Sequence, residues 1–482
     1  GWRFNCSFTK SDSEPYATAA PFSHLINERG EALYSLDEDD RLPVFMPRYS
    51  RSSLMTFMLA EVLAQALQQI NSPAQRSRQG HTRVPRQLNS IILTIPPGMP
   101  QAERSILNER MLQAIGLVWK SLGWHAGGED PHEEEISKAR TPIPSIRIEW
   151  DEASCGQLVY LYTEVNENFA GHPEEFFATL ARPDKTDRER ITVATIDIGG
   201  GTTDLVITDY SLDRAGSAGS GSNVDIVPEQ RFRDGFKMAG DDILLDVIQD
   251  FILPSFEKAL QTAGVRAPAA LMSRLCGEES VSIQDAILRQ QLNLQVFTPL
   301  GLALLKAYEN YDPEVAQEVL TYRYEDLLAN DSVKTPVWQY VNGAVRREVT
   351  GLGLFDILIV PIHFDLGQLH KSFLENRINL TKILAALCEV IFHYPCDVLL
   401  LTGRPSRLPG VQAFIRKMLP LPPGRIQPMH NYRTGGWYPF HKSGLINDPK
   451  STASVGAMLF LMCTNRSIPN FYFLTAALKP SS

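Results

Sequence analysis

Thr195-Ile-Asp-Ile-Gly-Gly-Gly-Thr-Thr-Asp-Leu205 is the stretch on which the reading of this chain turns. Ile191 to Ile198 is a β-favouring apolar run that predicts a buried strand, and it stops at three consecutive glycines. Leu205 to Thr208 then returns the chain antiparallel, so the unit is a hairpin with a glycine tip. Glycine tolerates positive φ and has no side chain, and a run of it lets bare N–H groups converge on an anion such as a phosphate. The hydroxyls of Thr202 and Thr203 add donors to Gly199, Gly200 and Gly201. Asp197, at the strand end, is placed to hold Mg²⁺ through its water shell, because Mg²⁺ favours carboxylates and keeps waters beside phosphates. Asp204, just beyond the loop, is a second candidate ligand. A glycine triplet alone is ordinary turn chemistry; an Asp two residues before it and Thr-Thr-Asp after it point to binding.

The rest of the chain sets the scale. At 482 residues it exceeds one core of ordinary size, and two large lobes or two to four subdomains are expected. Hydrophobic residues at 44% and charged residues at 21% fit a globular protein. The net charge of -9 gives a nucleic-acid partner no support. The basic stretch from Ser72 to Arg86 has the Pro and Gly content of a solvated loop. Cys6, Cys155, Cys276, Cys388, Cys396 and Cys463 are scattered, with no C-x-x-C pair and no His cluster, which argues against zinc and for reduced cysteines in an intracellular protein. No apolar run reaches transmembrane length and no signal peptide is visible, so a bacterial cytoplasmic location is expected. The chain starts at Gly1, in mid-pattern, which leaves secretion and a longer parent open.

Moving outward from the hairpin, the pattern is α/β. The first 45 or so residues predict only short strands. Leu59, Val62, Leu63, Ala66, Leu67 and Ile70 share a face of a helix from Ser52 to Ile70. Ser90 to Ile95 reads as a buried strand stopped by Pro96-Pro-Gly98, and a helix from Gln101 to Leu117 turns Ile106, Leu107, Met111 and Ile115 inward. After an acidic loop from Gly127 to Glu135, Ile146 to Trp150 is a strand. Residues 191 to 226 read as a meander, with Ala215 to Ser222 as a flexible tip. Helices dominate from Asp241 to about Tyr340. A strand from Phe355 to Ile362, a helix through Leu380, Ile383, Leu384, Leu387 and Ile391, and a strand from Val398 to Leu401 restore the α/β rhythm. Residues 420 to 450 are loop-rich, and Ser451 to Cys463 is helical. The organisation expected is residues 1–190 as a first lobe, 191–450 as a second with a helical insertion at about 241–345, and 451–482 returning to the first.

The hairpin resembles the second phosphate loop of the superfamily that contains actin, DnaK-type chaperones, MreB and sugar kinases. Trp150-Asp-Glu-Ala-Ser-Cys-Gly156 is similar to the chaperone stretch carrying Glu-Pro-Thr-Ala, which implies that Glu152 positions an attacking water; a first-turn helix acid is the plain alternative. Met238-Ala-Gly-Asp-Asp-Ile243 resembles a Gly-Gly-Glu-Asp-Phe turn and puts Gly240 near the nucleotide. Val398-Leu-Leu-Leu-Thr-Gly-Arg-Pro-Ser-Arg-Leu-Pro-Gly-Val411 resembles the adenosine motif, with Gly403 and Arg407 matching directly. Asp448-Pro-Lys-Ser-Thr-Ala-Ser-Val-Gly-Ala457 is similar to the second connecting helix, whose small residues permit close packing at the hinge. The resemblance implies a two-lobe actin-like (ribonuclease H-like) ATPase fold with bound ATP and Mg²⁺. Over the whole chain the motifs look like the SrfB family of bacterial proteins, described as virulence factors.

The chain departs from this pattern at two points. The first phosphate-loop hairpin is absent from the sequence, and Arg404 with Pro405 replaces the second Gly of the adenosine motif, reshaping the ribose side. Three functions follow as expectations: a slow ATPase or nucleotide-dependent switch read by a protein partner or the rest of a longer chain, a non-catalytic interaction module, and a small-molecule kinase of the sugar-kinase branch. The kinase needs a general-base Asp that the sequence does not nominate.

Overall fold

The computed structural model describes residues 51–78, 83–124, 141–214, 224–277, 283–315, 319–328, 333–349 and 355–478. The expected short strands before residue 45, the acidic loop at 127–135, the tip at 215–222 and Cys6 lie outside them.

A six-stranded sheet organises the chain. β3 (Arg190–Ile198), β4 (Thr203–Asp213) and β5 (Asp225–Phe236) form an antiparallel meander, and β8 (Val398–Thr402) and β9 (Ile426–Pro428) extend it in parallel beyond β3. β10 (Tyr472–Phe473) pairs parallel with the start of β5, giving the order β10-β5-β4-β3-β8-β9. The central strands β3 and β8 are buried along almost their whole length because both faces are covered, as the continuous run in β3 requires. Ala194, Ile196 and Ile198 join Leu399 and Leu401 in one core, while Ile191 and Val193 join Val398 and Leu400 in the other, the period-two division of a pleated strand.

The first core continues into helices, among them α4 (Gly240–Val247), α5 (Thr298–Tyr308), α6 (Asn379–His393) and α7 (Pro409–Met418). A two-stranded ladder, β6 (Leu320–Arg323) with β7 (Pro361–Phe364), lies among them. The second core holds α3 (Glu152–Tyr162) and α8 (Ser451–Thr464). These helices cross at glycines: a Cβ on Gly456 would stand 2.1 Å from the Cys155 carbonyl oxygen. Close approach of this kind is what the small residues of 451–457 predict.

Ahead of α3, β1 (Ser90–Ile92) and β2 (Ser145–Arg147) form a parallel pair, covered on one face by α1 (Arg51–Ile70) and α2 (Gln101–Ser121). Leu59, Leu63 and Leu67 pack on Met111, Ile115 and Trp119 in a small core of their own. Two expected inward residues face solvent, Val62 at 59% exposure and Ile106 at 47%. The neighbouring helix covers the i, i+4 line of α1 with Ala60 and Ile70 beside it, and leaves Val62 outside the core among the described residues.

Three local expectations are also corrected. Pro73–Arg78, in the basic stretch, is a helix with Pro at its first position, where the missing N–H is harmless. β2 stops at Arg147, although an isolated bridge joins Ile95 to Asp151. The strand expected from Phe355 begins only at Pro361, because the Asp356 carboxylate accepts the Leu358 N–H and folds Ile357–Ile359 into a 3-10 turn. No helix among the described residues is long and apolar enough to cross a membrane.

Candidate functional site

β3 is where the sheet changes from antiparallel to parallel, so its carboxyl end and that of β8 stand side by side. Ligands of open α/β sheets bind in the crevice outside such strand ends. A cleft of about 650 Å³ opens there, lined among others by Glu152, Asp197, Gly199, Gly200, Thr202 and Gly240, and by Lys306, Glu309, Gly403 and Lys450.

The glycine tip is a tight turn closed by Gly199 N–H on the Thr202 carbonyl at 2.8 Å. Its carbonyls are occupied by the start of α4: Gly240 N–H donates to Gly199 at 3.0 Å and Asp241 N–H to Gly200 at 2.8 Å. Two of the helix's otherwise unpartnered N–H groups are thereby satisfied, and the loop is fixed to the helix end. The N–H groups of Gly200, Gly201 and Thr202 form no hydrogen bond within the described residues. Three consecutive unspent donors in a turn are available to an anion, although none of Gly199, Gly200 and Gly201 takes the positive φ that glycine allows.

Beneath the loop lie acids. Asp197 and Asp204 are directly opposite in the β3–β4 ladder. Burial, then the charge of Glu152, pushes Asp197 up to about 7. Burial likewise pushes Asp204 up to about 7, against a hydrogen bond from Thr202 at 3.1 Å. Glu152 is the first residue of α3, capped by Asp151, whose carboxylate accepts Ser154 N–H at 2.7 Å and Ser154 Oγ at 2.8 Å. It is therefore a first-turn helix acid and also lines the cleft, and burial raises it while the charge of Lys450 opposes. Among the described residues no group of three or more His, Cys, Asp or Glu side chains is placed to hold a metal ion by itself. Acids raised toward neutrality return to the charged form when a cation arrives.

The other expected residues divide. Gly403 sits at φ +76°, where a Cβ would stand 2.0 Å from the Ile198 carbonyl oxygen and 2.7 Å from Asp197 Oδ1. Gly240 is held between Pro405 Cγ, 2.8 Å from its Cβ position, and Gly199 O at 3.1 Å. Thr203 is fully buried and its hydroxyl donates to the Met238 carbonyl at 2.7 Å, so it braces the hairpin and does not face the cleft. Gly201 is exposed with open space at its Cβ position, and Asp204 faces Thr202 and Gly235 behind the loop.

Arg404 and Arg407 converge on one carboxylate. Glu309, at the exit of α5, takes Arg404 Nε at 3.5 Å and Arg407 Nη2 at 3.0 Å. Arg404 lines the cleft while Arg407 stands behind it, engaged with Glu309. Glu309, Lys306 and Lys450 are cleft residues that sequence reasoning missed. Lys450 lay inside the quoted Asp448-Pro-Lys450 stretch, where its charge was the available signal; Glu309 comes from a helix exit with none.

A protein-family model described as virulence factor SrfB matches residues 1–482. No curated protein matches the chain.

Proposed function

We propose that this chain, which belongs to the SrfB family, is an actin-like nucleotide-binding domain that takes ATP with Mg²⁺ in the cleft between β3 and β8 and works as a slow ATPase or nucleotide-dependent switch. One observation carries the reading: the N–H groups of Gly200, Gly201 and Thr202, which form no hydrogen bond within the described residues, follow directly on the strand end that carries the buried Asp197 carboxylate. Donors of that kind suit phosphate oxygens, and the acids suit a hydrated divalent ion. Support for the actin and DnaK-type class comes from the glycine-tipped meander extended by parallel strands, and from the close crossing of α3 and α8.

In this reading Asp197 holds the metal's water shell, with Asp204 behind it as a charge reserve. The glycine loop and Thr202 hold phosphates, Glu152 orients a water, and Gly403 gives the nucleoside room to approach bare backbone. Arg404 and Glu309 form the nucleoside-side wall. Bound Mg²⁺ would supply charge neutralisation of the phosphates. A protein partner, or further parts of a longer polypeptide, would read the closure of the cleft.

Calorimetric titration of Mg-ATP into the protein tests this, with Asp197→Ala as the control. Saturable, Mg-dependent binding that the variant loses is expected; no heat at high micromolar nucleotide would sink the reading. Phosphate release then separates a turning-over switch from a binding-only module.

A further inference from the structure

The sheet face under α3 and α8 carries buried hydroxyls that have nothing to bond to. Ile191, Val193, Val398 and Leu400 lie on that face, and the alternation of the pleat brings Thr195, Asp197, Thr208 and Thr402 onto it as well. Thr195 and Thr208 are fully buried and Thr402 is 2% exposed, and the Oγ1 of each forms no hydrogen bond among the described residues. Other threonines in the same region are spent: Thr163 Oγ1 donates to the Val159 carbonyl and Thr452 Oγ1 to the Pro449 carbonyl, both at 2.7 Å.

Thr402 stands apart from Thr208 in its place. It is the last residue of β8 and the ladder partner of Asp197 at the end of β3. Partners on neighbouring strands project from the same face, about 5 Å apart. The methyl group of Thr402 is turned to α3, since a Cβ on Gly156 would stand 3.1 Å from Thr402 Cγ2. A β-branched side chain packed in this way keeps one rotamer, and its hydroxyl keeps one place. Burial, and then the charge of Glu152, holds a proton on Asp197; the Thr402 hydroxyl acts against both, although the two groups do not complete a hydrogen bond of ordinary geometry. Thr208 has Val193 and Gln230 as its ladder partners and no acid beside it on either strand.

We propose that Thr402 is a positioning residue for Asp197: its hydroxyl donates to the charged carboxylate and holds it in one orientation toward the water shell of Mg²⁺. The inference rests on the nucleotide reading of the cleft. A carboxylate is the strongest acceptor a lone hydroxyl can be given. Without that use the hydroxyl is a net cost, because a buried polar group with no partner destabilises the fold and an isosteric valine would pack on Gly156 as well.

Four forms of the full-length protein separate this role from a packing one: wild type, Thr402→Val, Thr402→Ser and Thr208→Val. The readouts are melting without ligand, and calorimetric titration of ATP in Mg²⁺ and in EDTA. Thr402→Val should melt at or above the wild type and bind Mg-ATP about tenfold more weakly, with its affinity in EDTA unchanged. Thr402→Ser loses the methyl group on Gly156, so it should melt lower and still bind Mg-ATP nearly as the wild type does. Thr208→Val should leave binding unchanged. Wild-type Mg-ATP affinity in Thr402→Val would overturn the inference, as would a loss of the same size in EDTA or an equal loss in Thr402→Ser; each of these leaves the nucleotide reading standing. A wild type that takes no Mg-ATP would end both.

Discussion

Gly403 and the carboxylate of Asp197 are so close that a methyl group on the glycine would stand 2.7 Å from Oδ1. The same methyl would stand 2.0 Å from the Ile198 carbonyl oxygen, a backbone atom that cannot rotate away. Gly403→Ala also faces an unfavourable φ of +76°. The expected cost is about 2–4 kcal/mol in chemical denaturation, because β3 and β8 must separate. Wild-type stability for this variant would mean that the two strand ends are more loosely joined than the geometry indicates.

The acids predict a pH dependence. Asp197 and Asp204 are raised to about 7 in the fold, so between the ordinary carboxylate range and neutrality the folded state holds protons that the unfolded state has lost. Their contribution to stability is fully present below about pH 4 and is lost as pH rises through 7. Thermal melts across this range should show Asp197→Asn gaining on the wild type as pH increases. A constant difference between the two would refute the assignment.

Another buried acid, Asp397, is paired with a cation. Asp397 is fully buried and accepts from Lys185 Nζ at 2.5 Å, Thr192 N–H at 2.6 Å and Arg182 N–H at 2.8 Å. Lys185→Met leaves that carboxylate with Arg182 Nε at 3.7 Å and its two backbone N–H donors, at an expected cost of about 1–3 kcal/mol, readable by urea denaturation. Replacing Asp397 by Asn in the same variant should recover part of the loss.

At the crossing of α3 and α8, Gly456→Val should cost at least about 1–3 kcal/mol, since its Cβ would overlap the Cys155 carbonyl. Gly343, whose Cβ position is open, is the control: Gly343→Ala should be neutral or stabilising. Equal melting shifts for the two would remove the crossing as a tight contact.

The strands and helices that carry strong one-dimensional signals were legible before any coordinates. The β3–β4 hairpin is written by a β-branched run and three glycines, and α8 by small residues spaced for close packing. Asp197 was legible from the turn it borders, and Glu152 and Gly403 from the resemblance alone; all three line the cleft. What escaped depends on distant chain. Glu309 meets Arg404 across 95 residues, and Thr203 turns from the cleft because Met238 offers a buried carbonyl. Val62 and Ile106 were misread because a helix pattern names an apolar face without saying how wide the neighbour covering it is.

The six-stranded sheet also bears on how copies of this protein can associate. Its β9 edge is a three-residue strand ending in Pro428, and its β5 edge is met by β10 at the start and carries Pro228, Glu229, Arg231, Arg233 and Asp234 along its length. Prolines and charges on outer strands discourage lateral joining of sheets. Filaments or fibres of this protein would therefore have to grow through helical or loop surfaces, with the central sheet kept out of the contact.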